Sequence, residues 1–393
     1  MSDGRKYEFV IIGAGIIGSS VARELAMRGM GPVAVCEKEH ELGLHASGRN
    51  SGVLHSGINQ KPGSLKARMC VEGNRRARTF CKQHGVRLQE CGTVVVCRNE
   101  REEAALKLLI EMGTEAGVEG LRIMDAEELA EREPAVAGEK ALISPNGSIV
   151  DSEAFIRAVA EDAKAKGVEY FLGAEVTEIR DGTVITRKGD FKAAHVINCA
   201  GLYTDRIARM MGAGRGYRII PFRGEYMELH NCVVNSMVYQ VPDLRYPFLG
   251  VHLTKTVAGE VLAGPTAMLS FGRESYDKQI KSAETLEMLA SVNFWRLVFS
   301  AEFLRLVAHN GKISFLDRAF LAEIRTLCPQ ARLEDITPYR SGIRAQMVDH
   351  KGRMVDDMLV EFRKGSTHVL NAVSPGMTAA LAFAEYVVDN IKR

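Results

Sequence analysis

The stretch YEFVIIGAGIIG, residues 7–18, decides the fold. Residues 8–12 form a short apolar run with the length and branching of a buried strand. It ends on Gly13-Ala14-Gly15-Ile16-Ile17-Gly18, the GxGxxG spacing, and a helical pattern runs on from Ile16 to about residue 28. Each glycine has a steric task. Gly13 permits the tight turn from strand to helix, Gly15 lets a pyrophosphate approach the backbone, and Gly18 lets helix and strand pack closely. The helix start at Ile16 offers free N–H groups and a positive dipole end to phosphates. A second strand over residues 33–37 delivers Glu37 where an acid for a ribose should stand, ~20 residues after the glycines. Strand, glycines, helix, strand and acid in this order predict a dinucleotide-binding βαβ unit.

The totals bound the rest. A chain of 393 residues can bury a large core and divide into two domains. Its net charge of +2, with no long basic block, gives no footprint for nucleic acid. The first strand follows Met1 so closely that a signal or transit peptide is not expected, and no segment reaches the ~20 uncharged apolar residues of a membrane span. The expected compartment is the cytoplasm. The eight cysteines contain no CxxC pair and no close Cys/His cluster. They predict reduced, buried thiols, with no metal site and no disulfide framework.

The segment after Glu37 points to the kind of dinucleotide. HASGRNSGVLHSGINQKPGS, residues 45–64, is rich in Gly, Ser, Asn and His and can wrap the far half of an extended cofactor. Ser47, Asn50, Ser51 and Gly52 suit a pyrophosphate and ribityl chain, with Val53 and Leu54 against an apolar ring. HVINCAG, residues 195–201, is a buried strand ending in small residues, Ala200 and Gly201, that let the cofactor come close. This second approach, far along the chain, predicts a discontinuous cofactor domain. The glycines at 212–216 have no strand before them and no helix after, so one dinucleotide site is expected and no separate NAD(P)H domain.

Residues 168–179 read as one strand and 183–186 as part of a hairpin. Strand-like pieces at 219–229, 234–241, 248–254 and 260–263 predict an antiparallel sheet forming the floor of a substrate chamber. Residues 286–308 read as one helix, with Val292, Trp295, Phe299, Phe303 and Leu306 on one face packing within the domain. The alternative is a membrane-surface helix whose Arg296 and Arg305 meet lipid headgroups. A strand over 368–373, the turn Ser374-Pro375-Gly376 and a helix over 377–392 close the chain. The first-turn N–H groups of that helix would face a ring system and stabilise the negative charge of a reduced flavin.

These pieces together resemble the D-amino-acid-oxidase-like family of FAD enzymes, and within it the L-2-hydroxyglutarate dehydrogenases. The resemblance covers nearly the whole chain. It is carried by SGRNSGVLHSGINQKPGSLKARMCVEGN (47–74), PFRGEY (221–226), YPFLGVHLT (246–254), SGIRAQMVD (341–349), VDDMLVE (355–361) and NAVSPGMTAALA (371–382). The tail departs in one place, with Pro-Gly-Met-Thr at 375–378 where many relatives have Pro-Ala-Ala-Thr. The resemblance implies an α/β fold: a Rossmann-like FAD domain from residues 1–85, 145–216 and 335–393, and an α+β substrate domain on an antiparallel sheet from 86–144 and 217–334. It implies non-covalent FAD held by Gly13, Gly15, Gly18, Glu37, Lys38, Ser47, Asn50, Ser51, Gly52, Val53, Val176, Ala200 and Gly201. Further FAD contacts are implied from Gly342, Ile343, Ser374, Pro375, Gly376, Met377 and Thr378.

The implied reaction is oxidation of L-2-hydroxyglutarate to 2-oxoglutarate, the hydroxyl proton going to a base as the Cα hydride moves to flavin. A neutral imidazole suits that base, with His55 first and His252 second. Two substrate carboxylates call for a guanidinium that binds one of them bidentately, and Arg223 and Arg344 are the candidates. Lys255 and Tyr239 could assist as a point charge and a hydroxyl donor. The alternative is an amino-acid or amine oxidase. With no second dinucleotide site, electrons would leave to oxygen, a quinone or a partner protein. Resemblance to the bacterial members of the group implies a membrane quinone as one such acceptor, with residues 286–308 as a candidate docking surface for a peripheral contact on the cytoplasmic face of the inner membrane. The sequence gives no oligomeric state.

Overall fold

A computed structural model describes residues 5–242 and 250–392, with the backbone alone at a few positions of the helix Ala301–Phe315. The strand Arg5–Ile12 lies between the parallel strands Val33–Cys36 and Gly189–Asn198, and the helix Ile16–Met27 connects the first two. Ser366–Asn371 continues this sheet beside Gly189–Asn198, and Glu169–Phe171 flanks Val33–Cys36. Both faces are covered, which is why its strands read as unbroken apolar runs. Phe9, Ile11, Val33 and Val35 pack against Val21, Leu25, Phe383 and Val387, while Tyr7, Val10, Ala34 and Val196 face Phe191 and Ile207.

The second large sheet runs in the order Ile336–Pro338, Met227–Leu229, Val261–Gly264, His252–Lys255, Met237–Gln240, Thr93–Cys97, Lys140–Ser144, Arg122–Asp125. Here period two holds. Val94, Val96, Val238 and Leu253 face Phe320 and Ile324 of the helix Asp317–Arg325, whereas Val95, Cys97 and Tyr239 face Leu106 and Leu109. The sheet is antiparallel except where Met237–Gln240 pairs in parallel with Thr93–Cys97. Ile336–Pro338 belongs to it too, although the expected division placed residue 335 onward with the FAD-binding segments. Between the large sheets, Arg218–Gly224 and Gly342–Val348 form an antiparallel ladder extended by Met268–Leu269.

Three expected elements are broken. The strand expected over 219–229 is two, Arg218–Gly224 and Met227–Leu229, and they belong to different sheets. The strand over 168–179 is two, Glu169–Phe171 and Val176–Arg180, separated by a turn in which Gly173 has φ +68°. The helix expected over 286–308 is three: Ser282–Leu289, Val292–Val298 and Ala301–Phe315. Serines stand at the breaks. Ser291 is extended before the second helix, and Ser300 Oγ accepts the Phe303 N–H at 3.1 Å at the start of the third. A serine that bonds nearby backbone offers the chain an alternative to continuing a helix. The single apolar face therefore splits. Phe303 and Leu306 are buried with Phe222, Phe294 and Leu297, while Val292, Trp295 and Phe299 are 60%, 44% and 75% exposed. Of the strand expected over 248–254, residues 248–249 lie outside the described residues, and the described strand is His252–Lys255.

One buried ion pair ties the layers. Arg273 Nη1 lies 2.7 Å from Asp205 Oδ1, both side chains almost fully buried, and Asp205 Oδ2 also accepts the Ile219 N–H at 3.2 Å. Asp205 belongs to the helix Thr204–Met210 beneath the cofactor sheet.

The cofactor sheet also buries His195 and His368, whose rings bond Thr367 Oγ1 at 2.9 Å and Ser366 Oγ at 3.1 Å. Burial lowers the pKa of each to about 4. The unfolded chain protonates these rings below pH ~6.5, and the folded protein does not until about 4. Between those values the unfolded state binds more protons, so stability falls as pH drops from 6.5 to 4, by up to about 3 kcal/mol per ring. We expect the urea midpoint to fall between pH 7 and pH 5. The double variant His195→Gln/His368→Gln should fall clearly less; an equal fall would assign the acid sensitivity elsewhere.

Candidate active site

A cavity of about 1460 Å³ opens where the cofactor strands end and the second sheet begins. Its first wall is the glycine turn. Gly13 has φ +100°, and a Cβ there would stand 2.6 Å from the Cys199 carbonyl oxygen; one on Gly18 would stand 2.0 Å from the Gly13 carbonyl oxygen. Gly18 thus packs helix against strand and does not line the cavity, whereas Gly13, Gly15 and Ile16 do. The Ile16 N–H donates to Ser47 Oγ at 3.0 Å. Glu37 is held by two backbone donors, Ala14 N–H at 2.9 Å and Glu39 N–H at 3.0 Å, one to each oxygen. Each oxygen keeps a lone pair for a ribose hydroxyl.

Lys38 lines the cavity within an ion network. Its ammonium pairs with Glu39 and with Glu274 at 2.6 Å, and His45 Nε2 lies 2.9 Å from Glu39. Burial opposes the Lys38 charge, but the bonds to Glu274 and Glu39 prevail and raise its pKa. The carboxylates at 39 and 274 with His45 are compact enough for a metal ion, yet the lysine already balances their charge.

The wrapping loop is shaped by its own residues. Asn50 Nδ2 donates to the carbonyls of Ala46 at 3.1 Å and Ser47 at 2.7 Å, and its Oδ1 accepts the Gly52 N–H at 2.9 Å. Gly52 itself faces away from the cavity. It has φ +71°, and a Cβ would meet the Val150 carbonyl oxygen at 2.3 Å. Ser51 and Val53 line the cavity, as do Val176, Ala200, Gly201, Gly342 and Ile343. Gly342 is required sterically, because a Cβ would lie 2.3 Å from the Arg49 carbonyl oxygen.

Ser374, Pro375, Gly376, Met377 and Thr378 close the far wall at the start of the helix Gly376–Asp389. A Cβ on Gly376 would meet nothing within 4 Å, so glycine in place of alanine leaves room without disturbing the turn. Thr378 Oγ1 accepts the His55 N–H at 3.0 Å. The His55 carbonyl accepts Asn74 Nδ2 at 3.1 Å and the Cys70 thiol at 3.5 Å. The peptide that carries this imidazole is therefore held on both sides.

His252 and Arg344 share the chamber with His55. Burial, and secondarily the Lys66 charge, lowers the His55 pKa to about 4. Burial lowers that of His252 to about 3, with His55 and Arg344 adding to the effect against the bond to Gly250. His252 Nδ1 lies 3.0 Å from the Gly250 carbonyl, which can only accept, so Nδ1 carries the proton and Nε2 keeps its lone pair. Burial likewise lowers the Arg344 pKa, and the Tyr226 hydroxyl opposes that effect.

Three expected substrate residues do not line the cavity. Arg223 is buried 3.4 Å from Glu225. The ladder explains it: Arg223 pairs with Ile343 and Arg344 with Phe222, so the two arginines point to opposite faces. Tyr239 stands behind His252, its ring stacked at 4.3 Å, and Lys255 is half-buried at the end of the same strand as His252. Among the lining residues that the sequence did not single out are Tyr226 and Lys66. Both fall inside stretches that carry the resemblance, Tyr226 in PFRGEY (221–226) and Lys66 in the stretch 47–74, which was the available signal. Lys66 Nζ pairs with Asp356 at 3.0 Å, and the Asp357 carboxylate accepts the N–H groups of Leu65 and Lys66.

The glycine cradle, the doubly held Glu37 and the helix start at Gly376 fit an FAD molecule. Among known proteins, the L-2-hydroxyglutarate dehydrogenase of Escherichia coli strain UMN026 is 39% identical over 98% of this chain and 93% of its own length. The mitochondrial L-2-hydroxyglutarate dehydrogenase of Homo sapiens is 34% identical over 98% and 89%. Of solved structures, L-alpha-glycerophosphate oxidase from Mycoplasma pneumoniae with FAD bound superposes with a TM-score of 0.79 at 24% identity, over 98% of this chain and 94% of that one. Glycine oxidase from Geobacillus kaustophilus superposes with a TM-score of 0.72 at 19% identity, over 99% and 96%. At such identities these two speak for the fold alone. The family model described as FAD dependent oxidoreductase matches residues 8–390, and the chain belongs to that family of FAD enzymes.

Proposed function

We propose that the protein oxidises L-2-hydroxyglutarate to 2-oxoglutarate. One observation carries the reading: two imidazoles kept neutral by burial share a chamber with the buried Arg344 guanidinium at the far end of a dinucleotide cavity. The names of the relatives supply the substrate. Bound FAD supplies the two-electron acceptor. Arg344 binds one carboxylate through paired N–H donors, with the Tyr226 hydroxyl beside it. Lys66 provides the second positive charge, for the distal carboxylate. With both carboxylates held, the hydroxyl faces His55, which takes its proton; His252, through Nε2, is the second candidate. Burial of Arg344 makes its attraction for a carboxylate stronger than at a surface.

Electrons then leave to a membrane quinone. Leu286, Val292, Trp295, Phe299 and Leu304 are exposed, with Trp295 and Phe299 stacked at 5.9 Å, and Val292, Trp295 and Phe299 line one shallow surface hollow with Arg296 and Lys351. The exposed cations Arg296, Arg305 and Lys351 accompany them. Apolar side chains ringed by cations suit the surface of an anionic bilayer. Among the described residues no helix is long and apolar enough to cross a membrane, so such contact would be peripheral.

Anaerobic addition of L-2-hydroxyglutarate should bleach the flavin, and a panel of amino acids should not; the reverse would reassign the enzyme as an amino-acid oxidase. His55→Ala should slow that bleaching by at least ~100-fold with FAD retained, and near-normal reduction would remove His55 as base. Arg344→Ala should raise the substrate Kd by ~10- to 100-fold; an unchanged Kd would deny it the carboxylate. The protein should sediment with anionic vesicles, and Trp295→Asp/Phe299→Asp should abolish this while leaving anaerobic bleaching intact. Failure of the parent protein to bind would reject the lipid surface.

A further inference from the structure

Two of the eight cysteines, 96 positions apart, meet behind the substrate sheet. Cys232 sits in the connection after Met227–Leu229, and Cys328 just beyond the helix Asp317–Arg325. Their Sγ atoms are 3.0 Å apart and both side chains are buried. Among the described residues no other two cysteine sulfurs come within hydrogen-bond reach of one another. The backbone on each side is fixed independently of the thiols. The His230 N–H donates to the Asp335 carbonyl at 2.7 Å, Asn231 Nδ2 to Asp335 Oδ1 at 3.0 Å, and Ala137 N–H to the Leu327 carbonyl at 3.0 Å. The sulfurs are thus presented to each other by the fold.

We propose that Cys232 and Cys328 are a redox modification site, closing to a reversible disulfide when the protein meets a peroxide. Hydrogen peroxide is the oxidant any flavin enzyme releases when oxygen takes its electrons. The chemistry balances in two steps. The Cys328 thiolate attacks one peroxide oxygen, giving the sulfenic acid and hydroxide. The Cys232 sulfur then attacks the Cys328 sulfur, displacing that oxygen as hydroxide, which takes the Cys232 proton and leaves as water, while the proton given up by Cys328 turns the first hydroxide to water. Two thiols lose two hydrogens and one peroxide becomes two waters. Either sulfur can donate in this bond; with the proton on Cys232 the bond lowers the pKa of Cys328, which is then the first to react.

The bond would close a long loop of the chain, so its constraint on the unfolded state is large. It would clamp the helix Asp317–Arg325 to the back of the strands Met237–Gln240 and His252–Lys255. Tyr239 lies on the other face of that sheet, so closure stabilises the floor of the chamber without entering it.

Holoenzyme treated with hydrogen peroxide and examined by intact mass, thiol titration in denaturant and peptide mapping tests this. The expected result is loss of two hydrogens, six titratable thiols in place of eight, a linked Cys232–Cys328 peptide and a thermal midpoint raised by several degrees. Dithiothreitol should reverse all four. Cys232→Ser and Cys328→Ser should each abolish the linked peptide, and mapping of the parent protein decides the matter even where a variant folds poorly. Eight remaining thiols, oxygen added at either sulfur without a crosslink, or loss of thiols confined to other cysteines would overturn the proposal.

Discussion

The active-site geometry depends on one close approach between two helices. The helix Leu65–Gln83 crosses Gly376–Asp389 with Gly73 against the backbone of Thr378. A Cβ at position 73 would stand 2.4 Å from the Thr378 carbonyl oxygen and 2.6 Å from the Ala379 Cα. Only glycine allows the helices so near. At that distance Thr378 Oγ1 reaches the His55 N–H, and Asn74, one residue on from Gly73, reaches the His55 carbonyl from the other helix. Asn74 Nδ2 also reaches the carbonyls of Leu54 at 3.2 Å and Asn146 at 3.0 Å, so one buried amide ties the wrapping loop to the opposite wall. Interiors transmit strain because they are close-packed. A methyl group at Gly73 would therefore act on the imidazole through two hydrogen bonds, without touching it.

The same approach puts a helix start where a flavin ring needs one. The first-turn N–H groups of Gly376–Asp389 have no partners within their own helix, and their positive dipole end faces the cavity. The protein would thus offer fixed backbone donors to a bound flavin, with the imidazoles of His55 and His252 lining the same cavity. Neither depends on a mobile charged side chain. The charges that are present have been taken out of water with their partners: Arg273 with Asp205, Lys38 with Glu274, Arg223 beside Glu225. What distinguishes Arg344 from these is a hydroxyl, Tyr226, as its electrostatic neighbour in the cavity.

Much of this was legible in the sequence, and the limits have physical causes. The βαβ unit was readable because glycine spacing, helix period and strand run agree with one another. The tail was readable because Ser374-Pro375-Gly376 breaks a strand just before a helix. Arg223 could not be told from Arg344, since their faces follow from a register that pairs Arg223 with Ile343, and a shift of one residue would put both on one face. Gly18 reads from spacing as a packing glycine and from the resemblance as a cofactor contact, and its missing side chain makes room for the Gly13 backbone; Gly52, expected as a cofactor contact, makes room for that of Val150. Spacing shows that a side chain is absent, not what occupies its place. Lys66 was overlooked because one lysine in a helical stretch resembles any solvated lysine; only its closeness to His55 marks it out.

The residues 286–308 carry the most instructive failure. Apolar spacing of three and four predicts one buried stripe, and that inference assumes one continuous helix axis. Serines at 291 and 300 interrupt the axis, and each break rotates the next segment. Phe303 and Leu306 turn inward onto Phe222, whereas Val292, Trp295 and Phe299 turn out. An amphipathic pattern thus becomes two surfaces, one that completes the core and one left facing solvent. After the second break Phe303 lies against Phe222 of the strand ladder that carries Arg344. The exposed aromatics follow from the same turn of the chain that supports the substrate wall.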